Sequence, residues 1–422
     1  MPHTVPSPDP AAAAPAEPAR RAARIEASLT APGAPFAVVP GERGTPEYAD
    51  GPRTLREFVE TTWAYGDAPF LIAGERTCAY GEFFAAASAL AVCLRERYGL
   101  RPGDRAVLAS GNRPEWQIAF WAAQLAGLVA VPLDARWTED TFTYALEDCE
   151  PGVLLVDGAR LGRVAGWARR TRTRVVRFPG EGRVPDGLRI ERYEDFPAPD
   201  PLAAPPDVEP RPEDDATILY TSGAPGRPRG AVARHLAQAG AALNARYHAA
   251  ASARARGVVP GLEPAPVSPM TVPFSDAAAF TGVYGAMAAG GALALTDGAA
   301  DGAGPEGPEP LPADGRDAGY GLAETCGVVL APFGDACRAE PGVAGGRPTP
   351  ATEVRIAGPS GGELPDGEQG ELWLRGQSLF RGYWRDAPAT GAALRAGGWF
   401  RTGDRAVRRE GRVLVVGPFT GA

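Results

Sequence analysis

Between Arg105 and Val156 the chain alternates two hydrophobic rhythms, and this limits its possible folds more than any other feature. Short apolar runs at Arg105–Ser110, Val129–Pro132 and Val153–Val156 are separated by segments of helical spacing, from about Pro114 to Gly127 and from Thr138 to Cys149. Strand, helix, strand, helix, strand in this order predicts parallel strands joined by right-handed crossovers, with helices on both faces of the sheet. Pro114 suits a first helical turn, where a missing N–H is not needed. Upstream, Leu55, Phe58, Val59 and Thr62 repeat at helical spacing, and Tyr80–Tyr98 reads as an amphipathic helix ending before Gly99.

A Pro- and acid-rich link at 196–214 precedes a second alternation. Ala216–Tyr220 reads as a strand, followed by a Gly-rich turn and an alanine-rich helix from Val232 to Ala251. Met270–Pro273, Ala277–Ala289 and Ala292–Leu295 then read as strand, helix and strand. Residues 297–318 are almost all Gly, Ala, Pro, Asp and Glu, a linker composition. Beyond Tyr320, short strands at Glu353–Ala357, Glu371–Arg375, Arg405–Arg408 and Arg412–Val416 suggest a small β-barrel. The expected class is α/β: two parallel-rich sheets layered with helices, plus a small C-terminal β-barrel subdomain. The expected units are a disordered Ala/Pro-rich arm at 1–45, a first α/β subdomain at 46–210, a second at 211–340 and the barrel at 341–422.

The formal net charge of −8 argues against a nucleic-acid binder that works through phosphate contacts. All 43 basic residues are arginine, so chemistry that needs a lysine ammonium is excluded for these residues alone. Cys78, Cys93, Cys149, Cys326 and Cys337 are odd in number and widely spaced, with no CxxC pair, and the histidines are His3, His235 and His248. Neither a disulfide framework nor a zinc site is expected. The N-terminus lacks the apolar region of a secretory signal, and Ala119–Leu133 is too short to span a membrane. The expectation is a soluble cytoplasmic protein.

Three motifs carry chemistry. The first is Thr221-Ser222-Gly223-Ala224-Pro225-Gly226-Arg227-Pro228-Arg229-Gly230, after a strand. Its glycines let the backbone approach a phosphate, whose oxygens hydroxyls and amides then bind, while the GK[ST] end of a Walker loop is absent. The second is Tyr320-Gly321-Leu322-Ala323-Glu324-Thr325, and the third is Gly398-Trp399-Phe400-Arg401-Thr402-Gly403-Asp404, preceded by Gly370-Glu371-Leu372 and Gly382-Tyr383-Trp384.

Together these resemble the AMP-forming acyl-CoA synthetases of the ANL superfamily, which includes luciferases and peptide-synthetase adenylation domains. The resemblance covers roughly Leu55 to Gly417 and includes Pro102-Gly103-Asp104, Asn112-Arg113-Pro114-Glu115-Trp116 and Val131-Pro132-Leu133. It implies ATP or AMP, Mg²⁺ and CoA as cofactors, a carboxylic acid such as a fatty acid as substrate, and acyl-AMP formation followed by thioester formation. It implies nucleotide contacts from Thr221, Ser222, Gly223, Gly226, Tyr320 and Asp404. Glu324 would hold the metal, and Glu324 with Arg229 would be catalytic.

The chain also departs from the family pattern. Ala224 and Pro225 stand where the family has threonines, Arg229 where it has lysine, and Ala323 where it has threonine. Phe274-Ser275-Asp276 stands where many relatives have an aromatic residue and a histidine, and residues 297–318 replace a longer packed segment. Pro418 follows Gly417 where an arginine is usual, and the mobile C-terminal domain with its lysine is expected to be absent. The resemblance thus implies an adenylating activity that is weak or lost in this chain alone. Alternatives are a non-catalytic scaffold, a ligase completed in trans by a separate C-terminal domain or carrier protein, and a decayed gene product.

Overall fold

The computed structural model describes residues 17–41, 44–196, 198–201, 204–221, 227–262, 264–295, 319–333 and 344–419. The chain begins with α1 (Glu17–Thr30) and the ribbon β1 (Val38–Pro40) and β2 (Pro46–Tyr48). Then come α2 (Leu55–Glu60), the hairpin β3 (Pro69–Ala73) and β4 (Arg76–Ala79), and α3 (Tyr80–Val92). The crossover region runs β5 (Arg105–Ala109), α4 (Pro114–Leu125), β6 (Val129–Pro132), α5 (Glu139–Cys149), β7 (Val153–Val156), α6 (Leu161–Thr171), β8 (Arg174–Arg177) and β9 (Glu191–Arg192). Next are β10 (Asp215–Tyr220), β11 (Gly230–Arg234), α7 (His235–Ala255), β12 (Val267–Met270), α8 (Ala277–Ala288) and β13 (Ala292–Leu295). The last region holds β14 (Tyr320–Leu322), β15 (Gly327–Ala331), β16 (Ala344–Pro348), β17 (Thr352–Ala357), β18 (Gln369–Gly376), β19 (Gly382–Tyr383), α9 (Ala387–Ala393), β20 (Leu394–Arg395), β21 (Trp399–Arg409) and β22 (Arg412–Pro418).

Three larger sheets result. The first is eight-stranded in the order β19-β11-β10-β6-β5-β7-β8-β9. From β10 to β9 its neighbours are parallel, while β10, β11 and β19 pair antiparallel at the other edge. The second is β12-β13-β3-β4, parallel except for the β3–β4 hairpin. The third is the antiparallel run β14-β15-β16-β22-β21-β18-β17. The α/β class with a β-rich C-terminal region therefore holds. Helix α4 shows why the crossovers form: its residues from Glu115 to Leu125 are buried on every side, and it is apolar almost all round, as such a helix must be.

The expected unit boundaries are crossed in both directions. Strands β10 and β11, placed by sequence in a second subdomain, extend the first sheet, where Thr217 pairs with Ala130 of β6. In return β3 joins the second sheet, with Leu71 beside Leu293 of β13. Likewise β14 and β15 belong to the third sheet and β19 to the first. The ladder partners Thr217 and Ala130 lie 87 residues apart, and Leu71 and Leu293 lie 222 apart, and no local pattern reports them.

Two local expectations are also corrected. Residues 17–30 of the arm form α1 because Ala22, Ile25 and Leu29 make an apolar face that packs with Tyr247 and Phe36, while Arg347 pairs with Glu26 at 3.0 Å. The helix expected from Val232 begins at His235, because Ala231, Val232 and Ala233 are fully buried in a strand between β10 and β19. Helix α6 and strand β8 complete one more crossover than the sequence reading contained. The linker at 297–318 lies outside the described residues.

Candidate functional site

The carboxyl ends of parallel strands are where open α/β sheets leave room for a ligand. Beyond β6 and β10 lies a cleft of about 530 Å³, within the usual range for small-molecule sites. Its walls come from all regions of the chain: Asp134, Arg136 and Trp137 after β6, Thr221 after β10, Asp276 before α8, Glu324 after β14, and Asp404 on β21.

Thr221 and Arg229 close the stem of the Gly-rich segment. The Thr221 amide donates to the Arg229 carbonyl at 2.9 Å, and the Arg229 amide donates to Thr221 Oγ1 at 3.3 Å. The segment therefore joins the two strands of the β10–β11 hairpin rather than a strand and a helix. Ser222, Gly223 and Gly226 lie outside the described residues. The Arg229 guanidinium is 3.5 Å from Asp386 and 5.8 Å from the centre of the Tyr383 ring.

Glu324 is buried to 8% exposure in the turn after β14. Burial pushes its carboxyl above the usual carboxylate range, and the Tyr383 hydroxyl, donating to Oε1 at 2.7 Å, opposes that rise. No guanidinium pairs with it among the described residues. A buried carboxylate with no direct ion-pair partner, which only the more distant charge of Arg229 reaches, fits a bound metal ion. Among the described residues no cluster of three or more His, Cys, Asp or Glu could hold a metal by itself.

Tyr320 and Asp404 meet across β14 and β21. The Tyr320 hydroxyl donates to Asp404 Oδ2 at 2.6 Å, and the Asp404 amide donates to Thr402 Oγ1 at 3.0 Å. Burial raises the Asp404 carboxyl, and the phenol hydrogen bond opposes the rise. The structure thus gathers Thr221, Arg229, Tyr320, Glu324 and Asp404 around one cleft.

His235, which resembles a family histidine after the phosphate loop, lies elsewhere. It is 1% exposed, its Nδ1 accepts from the Leu55 amide at 3.3 Å, and burial pushes its imidazole down to about 4. It ties α7 to α2. Asp276 caps α8 by accepting from the Ala278 amide at 2.8 Å, and it also lines the cleft. Sequence reasoning assigned no role to Asp134, Arg136, Trp137 or Tyr383. The rule that loops after parallel strands carry ligands would have found the first three.

The AMP-binding enzyme family model matches residues 58–306 and 316–384. A feruloyl-CoA synthase from Amycolatopsis sp. is 31% identical over 371 residues, covering 78% of this chain and 71% of that protein. A 2-succinylbenzoate–CoA ligase from Bacillus velezensis is 26% identical over 379 residues, covering 79% and 71%. ATP-bound MatB from Rhodopseudomonas palustris superposes with a TM-score of 0.68 at 22% identity, over 86% of this chain and 78% of that one, a likeness of fold. Among the described residues no helix is long and apolar enough to cross a membrane.

Proposed function

Because this chain belongs to the AMP-binding enzyme family, we propose that its cleft binds ATP in the cytoplasm and adenylates a carboxylic acid slowly. One observation carries the reading: Thr221, Arg229, Glu324 and the Tyr320–Asp404 pair converge on a single cleft at the carboxyl ends of β6 and β10. Asp404 accepts the two ribose hydroxyls, which suit one carboxylate. Tyr320 holds that carboxylate in place. Arg229 and the stem of the hairpin receive the phosphates. Glu324 holds Mg²⁺, which when bound offsets negative charge on the phosphates.

In the reaction a carboxylate oxygen bonds to the α-phosphorus. The bond from that phosphorus to the bridging oxygen breaks, and pyrophosphate leaves with the electron pair. Two anions must meet, so aligned donors and positive charge dominate the rate. Here Ala224, Pro225 and Ala323 supply no hydroxyl, and Asp386 engages Arg229. Removing one such donor typically lowers turnover about 10²–10³-fold. Asp276 adds negative charge to the cleft, whereas Asp134 is paired there with Arg136 at 2.8 Å. The likeness to feruloyl-CoA synthase supports a thioester with CoA as the second product.

The test is ATP–pyrophosphate exchange with aryl and alkyl carboxylic acids, beside calorimetric ATP binding with Mg²⁺. Slow exchange that depends on the acid supports the proposal. Tight ATP binding without exchange supports a second reading, a nucleotide-binding scaffold, which the loss of hydroxyl donors at Ala224, Pro225 and Ala323 favours over catalysis. Absence of both refutes each. A repeat with a lysine-bearing domain of a relative added in trans reads whether an external ammonium restores exchange.

A further inference from the structure

A second cavity, of about 520 Å³, lies apart from the cleft, between α3 and the segment after β9. Ala86, Ala89, Leu90 and Cys93 form its floor at helical spacing, and Tyr193 and Phe196 form its roof. The end of α3 is modified there. Cys93–Arg97 is a π-helical turn, closed by the Tyr98 amide donating to the Cys93 carbonyl at 3.0 Å. Such turns often mark functional sites, and this one brings Glu96 and Arg97 to the rim.

The rim is acidic. Arg97 shares Glu191 with Arg174, at 2.5 and 3.5 Å, and its guanidinium lies 5.6 Å from the centre of the Phe196 ring. Glu96 and Glu194 also stand at the rim, and neither has an ion-pair partner among the described residues. An apolar pocket with carboxylates at its mouth accepts an apolar body ending in a cation and repels a carboxylate. It is therefore not a reservoir for the acid that the cleft is proposed to use. We propose that this cavity is a binding site for a small aryl- or alkyl-ammonium compound, held by Glu96 and Glu194.

The test uses three probes with one skeleton, 4-phenylbutylamine, 4-phenylbutanol and 4-phenylbutyrate, titrated calorimetrically into the full chain. The amine binds, the alcohol binds about fivefold more weakly, as an exposed ion pair predicts, and the butyrate shows no binding that Ala89→Phe removes. Ala89→Phe fills the floor and abolishes amine binding while leaving the ATP-induced melting shift unchanged. Glu96→Gln with Glu194→Gln, both on the surface, weakens the amine to the level of the alcohol without touching the core. Amine binding that survives Ala89→Phe overturns the proposal. So does an alcohol as tight as the amine, or no binding by any probe at millimolar concentration.

Discussion

Replacing Tyr383 by Phe isolates one hydrogen bond at the centre of the cleft. The hydroxyl donates to Glu324 Oε1 at 2.7 Å, while the ring packs edge-on to Phe380 at 5.0 Å and lies 5.8 Å from the Arg229 guanidinium. Phe keeps the ring contacts and removes only the donor. Burial already raises the Glu324 carboxyl, and this donor is the largest influence that lowers it. A hydrogen bond to a charged group contributes about 1.5–3 kcal/mol. Its loss reduces the ionised population of Glu324 by roughly 10- to 100-fold at a pH where the neutral form dominates. Metal binding needs the ionised form. The affinity for Mg²⁺–ATP therefore falls in the variant, and the pH above which binding is full moves upward. Calorimetric titrations from pH 5.5 to 8.5, with parent and variant melting at similar temperatures, read both effects. Superimposable affinity–pH profiles would refute the assignment of Glu324 as the metal-holding carboxylate.

Three further outcomes follow from the cleft and its supports. Asp404→Ala removes the proposed ribose acceptor. The parent gains about 2.7 kcal/mol at a hundredfold excess of ATP over its Kd, and thermal unfolding shows no such gain in the variant. Asp386→Asn keeps the acceptor that caps α9 through the Ala389 amide but releases Arg229. Pyrophosphate then binds up to about fivefold more tightly, the limit set by a half-exposed pair, and unchanged affinity counts against a phosphate role for Arg229. His235 sits near 4 in the fold against about 6.5 unfolded, so its stabilising contribution is complete above about 6.5 and is lost as pH falls towards 4. About 2 kcal/mol is gone by pH 5, and denaturant titrations of His235→Asn, which keeps an acceptor for the Leu55 amide, show a correspondingly flatter acid limb.

What the sequence disclosed depended on how far apart the interacting residues lie. The crossovers β5–α4–β6–α5–β7 were legible because periodicity and burial are local, and Val129–Pro132 and Val153–Val156 match their strands residue for residue. The strand β11 was misread as helix because alanine suits a helix, while its burial between β10 and β19 comes from tertiary pairing. In the site, Tyr320, Glu324, Arg229, Thr221 and Asp404 were named through family motifs, and all five adjoin the cleft. Tyr383 was seen as part of a motif but given no role, since its partner Glu324 is 59 positions away. Asp386 restrains Arg229 from 157 positions further along, a relation that neither residue type announces.

The exchange of strands between sheets bears on how the chain reaches its fold. The hairpin β3–β4 must wait for β13, more than two hundred residues later in synthesis, and β6 must wait for β10. Neither α/β half can complete its ladder while the ribosome is still making the other. Early β3–β4 edges therefore stay open during translation, which exposes them to wrong partners and favours slow assembly over long loops. Once formed, the halves are interlocked. A chain cut between Phe196 and Asp214 would yield two fragments that migrate together until both are unfolded, and neither fragment alone would hold a finished sheet.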